Sequence, residues 1–225
     1  MVDGMGTMRI LRTVGMSAVC ALIASGCLLP GQTTESAVMA APSSDVSPKP
    51  AAAITIPAPQ WKVGDSWTYS DGYGMKVTEV NADGTAEFTR LDDADQWFVR
   101  RGFFTEESKS RTIYRRVVFR TSDPMDLLTT GINQPVSFVR EYMRNDELVR
   151  HRTSWVIEGR EKITVPAGTF DCWVIVMRTQ GLDSNWRGFE RWYYNPDARN
   201  YIRLEYKYGE SPNGSRVLME YKLAG

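Results

Sequence analysis

Apolar and polar side chains alternate strictly near the end of the chain. Between Tyr201 and Gly209, Ile202, Leu204, Tyr206 and Tyr208 fall on one face and Arg203, Glu205 and Lys207 on the other. From Arg216 to Leu223 the same period sets Val217, Met219, Tyr221 and Leu223 against Arg216, Glu220 and Lys222. One dry and one wet face at a period of two predicts antiparallel strands. Pro212 and Asn213-Gly214 between them supply turn chemistry for a hairpin. A second hairpin is predicted to turn at Asp83-Gly84, and a third at Pro166-Ala167-Gly168. The strand after the third turn is apolar on both sides, with Phe170, Cys172, Val174 and Val176 on one face and Trp173, Ile175 and Met177 on the other. Such a strand is predicted to be central and covered twice. Helix is scarce: Ser122 or Asp123 caps and Pro124 opens one or two turns. The pattern predicts a mainly β fold, a curved antiparallel sheet or partly closed barrel with one short helix covering an end.

Composition places the boundary of this domain. Every aromatic residue (7 Trp, 10 Tyr and 8 Phe) lies at Trp61 or beyond. Residues 27–59 hold six of the 11 prolines together with many Ala, Ser and Thr, so they cannot bury enough apolar surface to offset their ordering entropy. They read as a flexible tether, and residues 60–225 as a single β-rich domain.

Residues 1–26 differ again. Arg9 and Arg12 precede an uncharged run from Thr13 to Gly26, shorter than the roughly 20 apolar residues that span a bilayer. A basic start, a short apolar middle and small residues at the end form a secretory signal peptide, and Met8 is the start that puts the arginines foremost. Ala24-Ser25-Gly26 followed by Cys27 resembles a bacterial lipobox, which implies a diacylglyceryl thioether on Cys27 and cleavage before it. Cys20 follows bulky Val19 and reads as part of the signal. Leu28 rather than aspartate after the cysteine resembles lipoproteins sorted to the outer membrane. Two or more acyl chains, palmitate or its like, make such attachment durable at about 0.8 kcal/mol per buried CH₂.

The stretch "VPAGTFDCWVI", then "ERWYYNPDARNYIRLEY", then "MEYKL" resembles an exported bacterial β-protein family of unknown function. The resemblance spans Trp155 to Leu223 and implies a β fold and an envelope location, with no reaction. Where relatives often carry glycine after the "WY.P" turn, this chain has Arg199-Asn200, and asparagine tolerates the left-handed conformation.

Charge and chemistry narrow the function. Lys+Arg and Asp+Glu number 27 each, which gives no electrostatic case for nucleic acid. With His151 the only histidine and Cys172 the only cysteine beyond the lipobox, no metal cluster or cofactor site is expected. His151 shares a strand face with Val149, Thr153, Trp155 and Ile157 and reads as packed; Cys172, mid-strand, reads as a buried thiol. Asp92-Asp93 and Glu106-Glu107 read as solvated pairs in connections. Arg111, Arg115 and Arg116, with Arg140, Tyr142 and Arg144, form an arginine-aromatic cluster suited to anionic glycan or lipid head groups if their strands are neighbours. The chain is therefore expected to be a membrane-anchored envelope lipoprotein acting as a non-enzymatic binding or interaction module, with an envelope protein, glycan or lipid as partner. Two alternatives stay open: a carrier of a lipid or other apolar ligand, and a glycan or ester hydrolase using His151, Cys172 or a carboxylate pair. Intact-mass measurement of protein from native membranes should show a chain beginning at Cys27 and carrying acyl groups; an unacylated product, or another start, removes the anchor.

Overall fold

The computed structural model describes residues 55–144 and 146–225; the expected signal peptide, Cys27 and most of the expected tether lie outside them. The strands are β1 (Ser66–Tyr69), β2 (Gly74–Val80), β3 (Thr85–Arg90), β4 (Trp97–Arg101), β5 (Phe104–Ser110), β6 (Ile113–Arg116) and β7 (Val118–Arg120). After a 3₁₀ helix at Pro124–Thr129 come β8 (Val136–Arg144), β9 (Glu147–Val165), β10 (Gly168–Gly181), β11 (Arg187–Asn195), β12 (Asn200–Tyr208) and β13 (Gly214–Lys222). All belong to one 13-stranded sheet in the order β6-β5-β4-β3-β2-β1-β13-β12-β11-β10-β9-β8-β7.

Every pairing is antiparallel and joins sequence neighbours, except that β1 pairs with β13. The two outermost strands, β6 and β7, are separated by Val117 alone, whose N–H donates to Glu106 O at 2.7 Å. Residues 113–120 thus pair with β5 through their first half and with β8 through their second. The sheet becomes a nearly closed barrel, an arrangement that removes exposed edges.

A meander puts alternate connections at opposite ends. One end gathers the turns at 81–84, 102–103, 166–167 and 196–199, the helix, and both ends of the domain. This end is packed shut. Leu127 of the helix is fully buried, Ile56 is 1% exposed, and Ile56 N–H donates to Leu128 O at 2.9 Å. Tyr194 O–H donates to Pro57 O at 3.0 Å. Residues 55–59, assigned by composition to the tether, are therefore held against the domain. The helix begins as predicted, with Asp123 accepting from Met125 N–H at 2.9 Å.

The closed end is fastened by Asp65, whose carboxylate is wholly buried. It accepts from Lys62 N–H at 2.9 Å, from Ala224 N–H at 2.8 Å and from Arg199 Nη1 at 2.9 Å. One side chain so joins the start of the domain, its end and the β11–β12 turn. The left-handed residue of that turn is Arg199, φ 56°, not Asn200. The strain of an arginine there, roughly 1–2 kcal/mol, is offset by its pairing with Asp65.

Both faces of β10 are buried, as its pattern predicts: Cys172 and Val176 on one side, Ile175 and Met177 on the other. Among the described residues no helix supplies the second cover. The β9–β10 hairpin shifts register between Val174 and Ile175, opposite Gly159 at φ 143°. Its tip reaches β13, with Ala167 N–H on Leu218 O at 3.4 Å and Phe170 edge-on to Tyr221 at 6.0 Å.

In β13 the pattern misassigned the faces. Leu218 is fully buried and Arg216 points inward, whereas Met219 is 43% exposed and Tyr221 36%. The cause is Asp71 and two tyrosine rings, which draw the Arg216 guanidinium inside. At Gly214 the need is space: an added Cβ would lie 2.3 Å from the Tyr206 ring.

Arg199→Ala, which strands the buried Asp65 carboxylate, should destabilise the domain by about 3 kcal/mol. That corresponds to a fall in Tm of roughly 6–12 °C, read by calorimetry. Arg160→Ala, which removes the exposed pair with Asp171, should cost less than about 1 kcal/mol.

Candidate functional site

Opposite the sealed end, the barrel interior forms two chambers. The inner one has a volume of about 280 Å³ and the outer one about 640 Å³. Arg140, Glu190 and Tyr208 line both, so the two chambers adjoin within the barrel lumen. Exposed Arg144, Leu148 and Asp183 border the outer chamber, which opens it to solvent.

Strand alternation decides which side chains reach this space. In β8 the inward set is Phe138, Arg140, Tyr142 and Arg144; in residues 113–120 it is Ile113, Arg115 and Phe119. Pairing of Phe119 with Arg140 and of Arg140 with His151 places these rows side by side. The predicted arginine-aromatic cluster is thereby divided. Arg115, Arg140, Tyr142 and Arg144 converge on the outer chamber. Arg116 lies on the outer surface, and Arg111 stands exposed at the β5–β6 turn with φ 49°. Arg120 also faces outward, pairing with Glu141 at 3.0 Å. The strands are neighbours, as the cluster requires, but its inward half is a lining rather than a surface.

Two lining arginines come from elements outside that cluster. Arg100, on β4, sits near the closed end with its guanidinium carbon 4.7 Å from the Phe98 ring centre and 5.2 Å from that of Trp192. Arg216 lies over Tyr73 at 4.2 Å and Tyr206 at 5.3 Å, and pairs with Asp71 at 2.9 Å. Arg115 lies 5.6 Å from the Tyr142 ring centre. Contacts of this kind contribute about 0.5–2 kcal/mol each, whereas taking an ion out of water costs several kcal/mol. Aromatic faces alone do not balance these cations.

Acidic groups inside are few. Glu190 is the one carboxylate lining the inner chamber among the described residues. Its Oε2 accepts from Trp192 Nε1 at 2.6 Å and its Oε1 from Tyr208 O–H at 2.5 Å. Burial, followed by the Glu190 charge, raises the Tyr208 pKa far above the ordinary range, and burial does the same at Tyr201. Both phenols stay neutral while the arginines stay charged.

His151 is 5% exposed and shares the inner face with Thr153, Trp155 and Ile157, as its phase predicts. Its ring stacks on Trp186 at 4.6 Å and meets Tyr142 edge-on at 5.7 Å. Nδ1 lies 3.3 Å from Arg140 Nη2 and accepts from it, so the neutral ring carries its proton on Nε2. Burial first, then the Arg140 charge, lowers the His151 pKa to about 4. The outer chamber around it includes Ser184, Glu147 and Asp183, but among the described residues no carboxylate or hydroxyl hydrogen-bonds the ring.

Cys172 is fully buried on the far face of β10, and burial pushes its thiol up to about 12. Glu106 and Glu107 lie within β5 rather than in a connection, bound to Arg101 and to Tyr114 O–H. Asp92 is tied to Arg90, and Asp93 to Gln96. Among the described residues no group of three or more His, Cys, Asp and Glu is placed to hold a metal ion.

No protein-family profile and no curated protein matches the chain. Among solved structures, the hypothetical lipoprotein YmcC of Escherichia coli K12 is similar at 7% identity and a TM-score of 0.47, over 69% of this chain and 83% of that one. A candidate lipoprotein from Parabacteroides distasonis is similar at 18% identity and a TM-score of 0.40, over 75% and 99%. A candidate exported protein with a YmcC-like fold from Bacteroides fragilis is similar at 13% identity and a TM-score of 0.41, over 76% and 99%. Likenesses this distant carry no weight for function.

The lowered His151 pKa makes a pH prediction. Between pH 6.5 and about 4 the unfolded ring binds a proton that the folded ring refuses, so this stabilisation is complete above 6.5 and is lost as pH falls through the window. His151→Gln should flatten the fall in Tm across that range relative to the parent; an unchanged slope would show that the ring titrates normally.

Proposed function

We propose that this chain is a lipoprotein of the bacterial envelope, anchored through Cys27 to the outer membrane and facing the periplasm. There it acts as a non-enzymatic binding module with the barrel lumen as its ligand site. One observation carries the reading. The barrel is sealed at one end by the two ends of the domain and the helix, and the lumen at the other is lined by cations and aromatic rings, with no hydrogen-bonded nucleophile and base among the described residues. Preformed concave sites lined by aromatic faces and a few polar groups are the usual form of small-molecule pockets.

The outer-membrane assignment is supported by the lipobox and by Leu28 after the cysteine. A carrier reading draws support from Met143, 51% exposed, and Leu148, 54% exposed, at the open rim. A wholly apolar cargo, however, would leave the lumen arginines dehydrated and unpaired. Hydrolysis would require an activated nucleophile, and neither Cys172 nor His151 has the surroundings for it.

Protein extracted from native membranes in mild detergent should fractionate with the outer membrane, retain an envelope-derived compound identifiable by mass spectrometry, and fail to turn over envelope glycans or esters. Turnover abolished by His151→Ala would replace the binding module with an enzyme.

A further inference from the structure

We propose that the lumen is an oxyanion site, taking a compact organic acid whose carboxylate or phosphate is held by Arg140, with Arg100 below it and Arg115 above. This deepens the binding-module reading and rests on it. Arg140 lines both chambers, Arg100 the inner and Arg115 the outer. Among the described residues, none of the three has a carboxylate within ion-pair distance, in contrast to Arg216 with Asp71.

The Nε atoms of Arg100, Arg115 and Arg140 are each out of reach of solvent and without a hydrogen-bond partner, as are those of Arg191, Arg203 and Arg216. Arg191, Arg203 and Arg216 each hold a carboxylate through another nitrogen, so the absence of any counter-charge at Arg100, Arg115 and Arg140, added to the unpaired Nε, marks a group that the protein itself does not provide. The one carboxylate lining the inner chamber among the described residues is already engaged, since both oxygens of Glu190 accept from Trp192 and Tyr208. A guanidinium offers a planar fork of donors that carboxylate and phosphate fill in bidentate fashion. His151 adds direction, because its Nδ1 takes one Arg140 donor at 3.3 Å and so orients the fork.

The body of the ligand would lie against Trp155 and Trp192, whose rings line the inner chamber. A volume of about 280 Å³ admits a sugar acid or a short acyl acid. Both carry the same acidic group, so the chemistry is shared and the source is a matter for measurement.

The full chain in detergent is titrated with inorganic phosphate, glucuronate and octanoate, and with glucose and octanamide as uncharged counterparts. Tryptophan fluorescence and calorimetry report binding. At least one anion should bind while its neutral counterpart does not, and raised salt should weaken it. Arg140→Gln and Arg100→Gln should each weaken it roughly tenfold or more. Arg152→Gln, on the outer face of β9, should leave it unchanged, and circular dichroism checks that each variant is folded. Preference for glucuronate identifies an acidic sugar, preference for octanoate an acyl acid, and equal binding of inorganic phosphate a head-group site. Neutral probes binding as tightly as anions would overturn the oxyanion assignment while leaving a binding lumen. Anion binding indifferent to both arginine variants, or no anion binding at all, would overturn it outright, whereas the binding-module reading stands or falls on the compound retained from native membranes.

Discussion

The buried carboxylate of Asp65 is the contact through which the sheet closes. A meander of neighbouring strands is open until its first and last members meet, and β1 is only four residues long. Asp65, immediately before β1, binds Ala224 beyond β13 and Arg199 in the β11–β12 turn. Its neighbours extend the join: Trp67 Nε1 donates to Ala198 O at 2.8 Å and Tyr69 O–H to Tyr201 O at 3.1 Å. A buried charge is tolerable because every donor around it is engaged. Through that join, three otherwise separate segments form one floor, and a lumen can exist above it.

Closure also explains the interior. A barrel of this many strands has more volume than its inward side chains can fill with aliphatic groups alone. In this chain the inner rows mix large rings with arginines. Phe98, Trp192, Tyr73 and Tyr142 provide faces on which guanidiniums rest, while tyrosines held neutral by burial add no opposing charge. In the inner chamber the positive charge is enclosed by rings, so electrostatic interactions there are stronger than in open water. The same burial that keeps His151 neutral makes it an acceptor for Arg140 rather than a second cation beside it.

Much of the architecture is legible in the residues because it is local. Period-two alternation, Asp83-Gly84, Pro166-Ala167-Gly168 and the Asp123-Pro124 start each depend on neighbours within a few positions, and the structure keeps all of them. The two-sided burial of β10 was readable as well, though its cover was not, because a hairpin bending over its own sheet leaves no mark in periodicity. Where the faces of β13 were misassigned, the signal was overridden at a distance: Arg216 is polar by composition but is drawn inward by Asp71, Tyr73 and Tyr206. Arg199 similarly takes the left-handed turn position because Asp65 lies beside it.

The candidate site divides along the same line. Sequence named Arg115, Arg140, Tyr142 and Arg144, with Arg111 and Arg116, as one cluster on the condition that their strands were neighbours, and residues 113–120 do run beside β8. It could not tell inside from outside for that cluster, because both faces of those strands carry arginine. Nor could it add Arg100, whose place opposite Arg140 depends on how the two ends of the sheet meet. Composition and short-range spacing determined the β class, and they are the whole basis on which an export signal and a tether are expected, because each depends on what adjacent residues can bury or bond. Only the closed sheet decided that the cations face a shared cavity, because curvature and ring closure arise from contacts between residues more than a hundred positions apart.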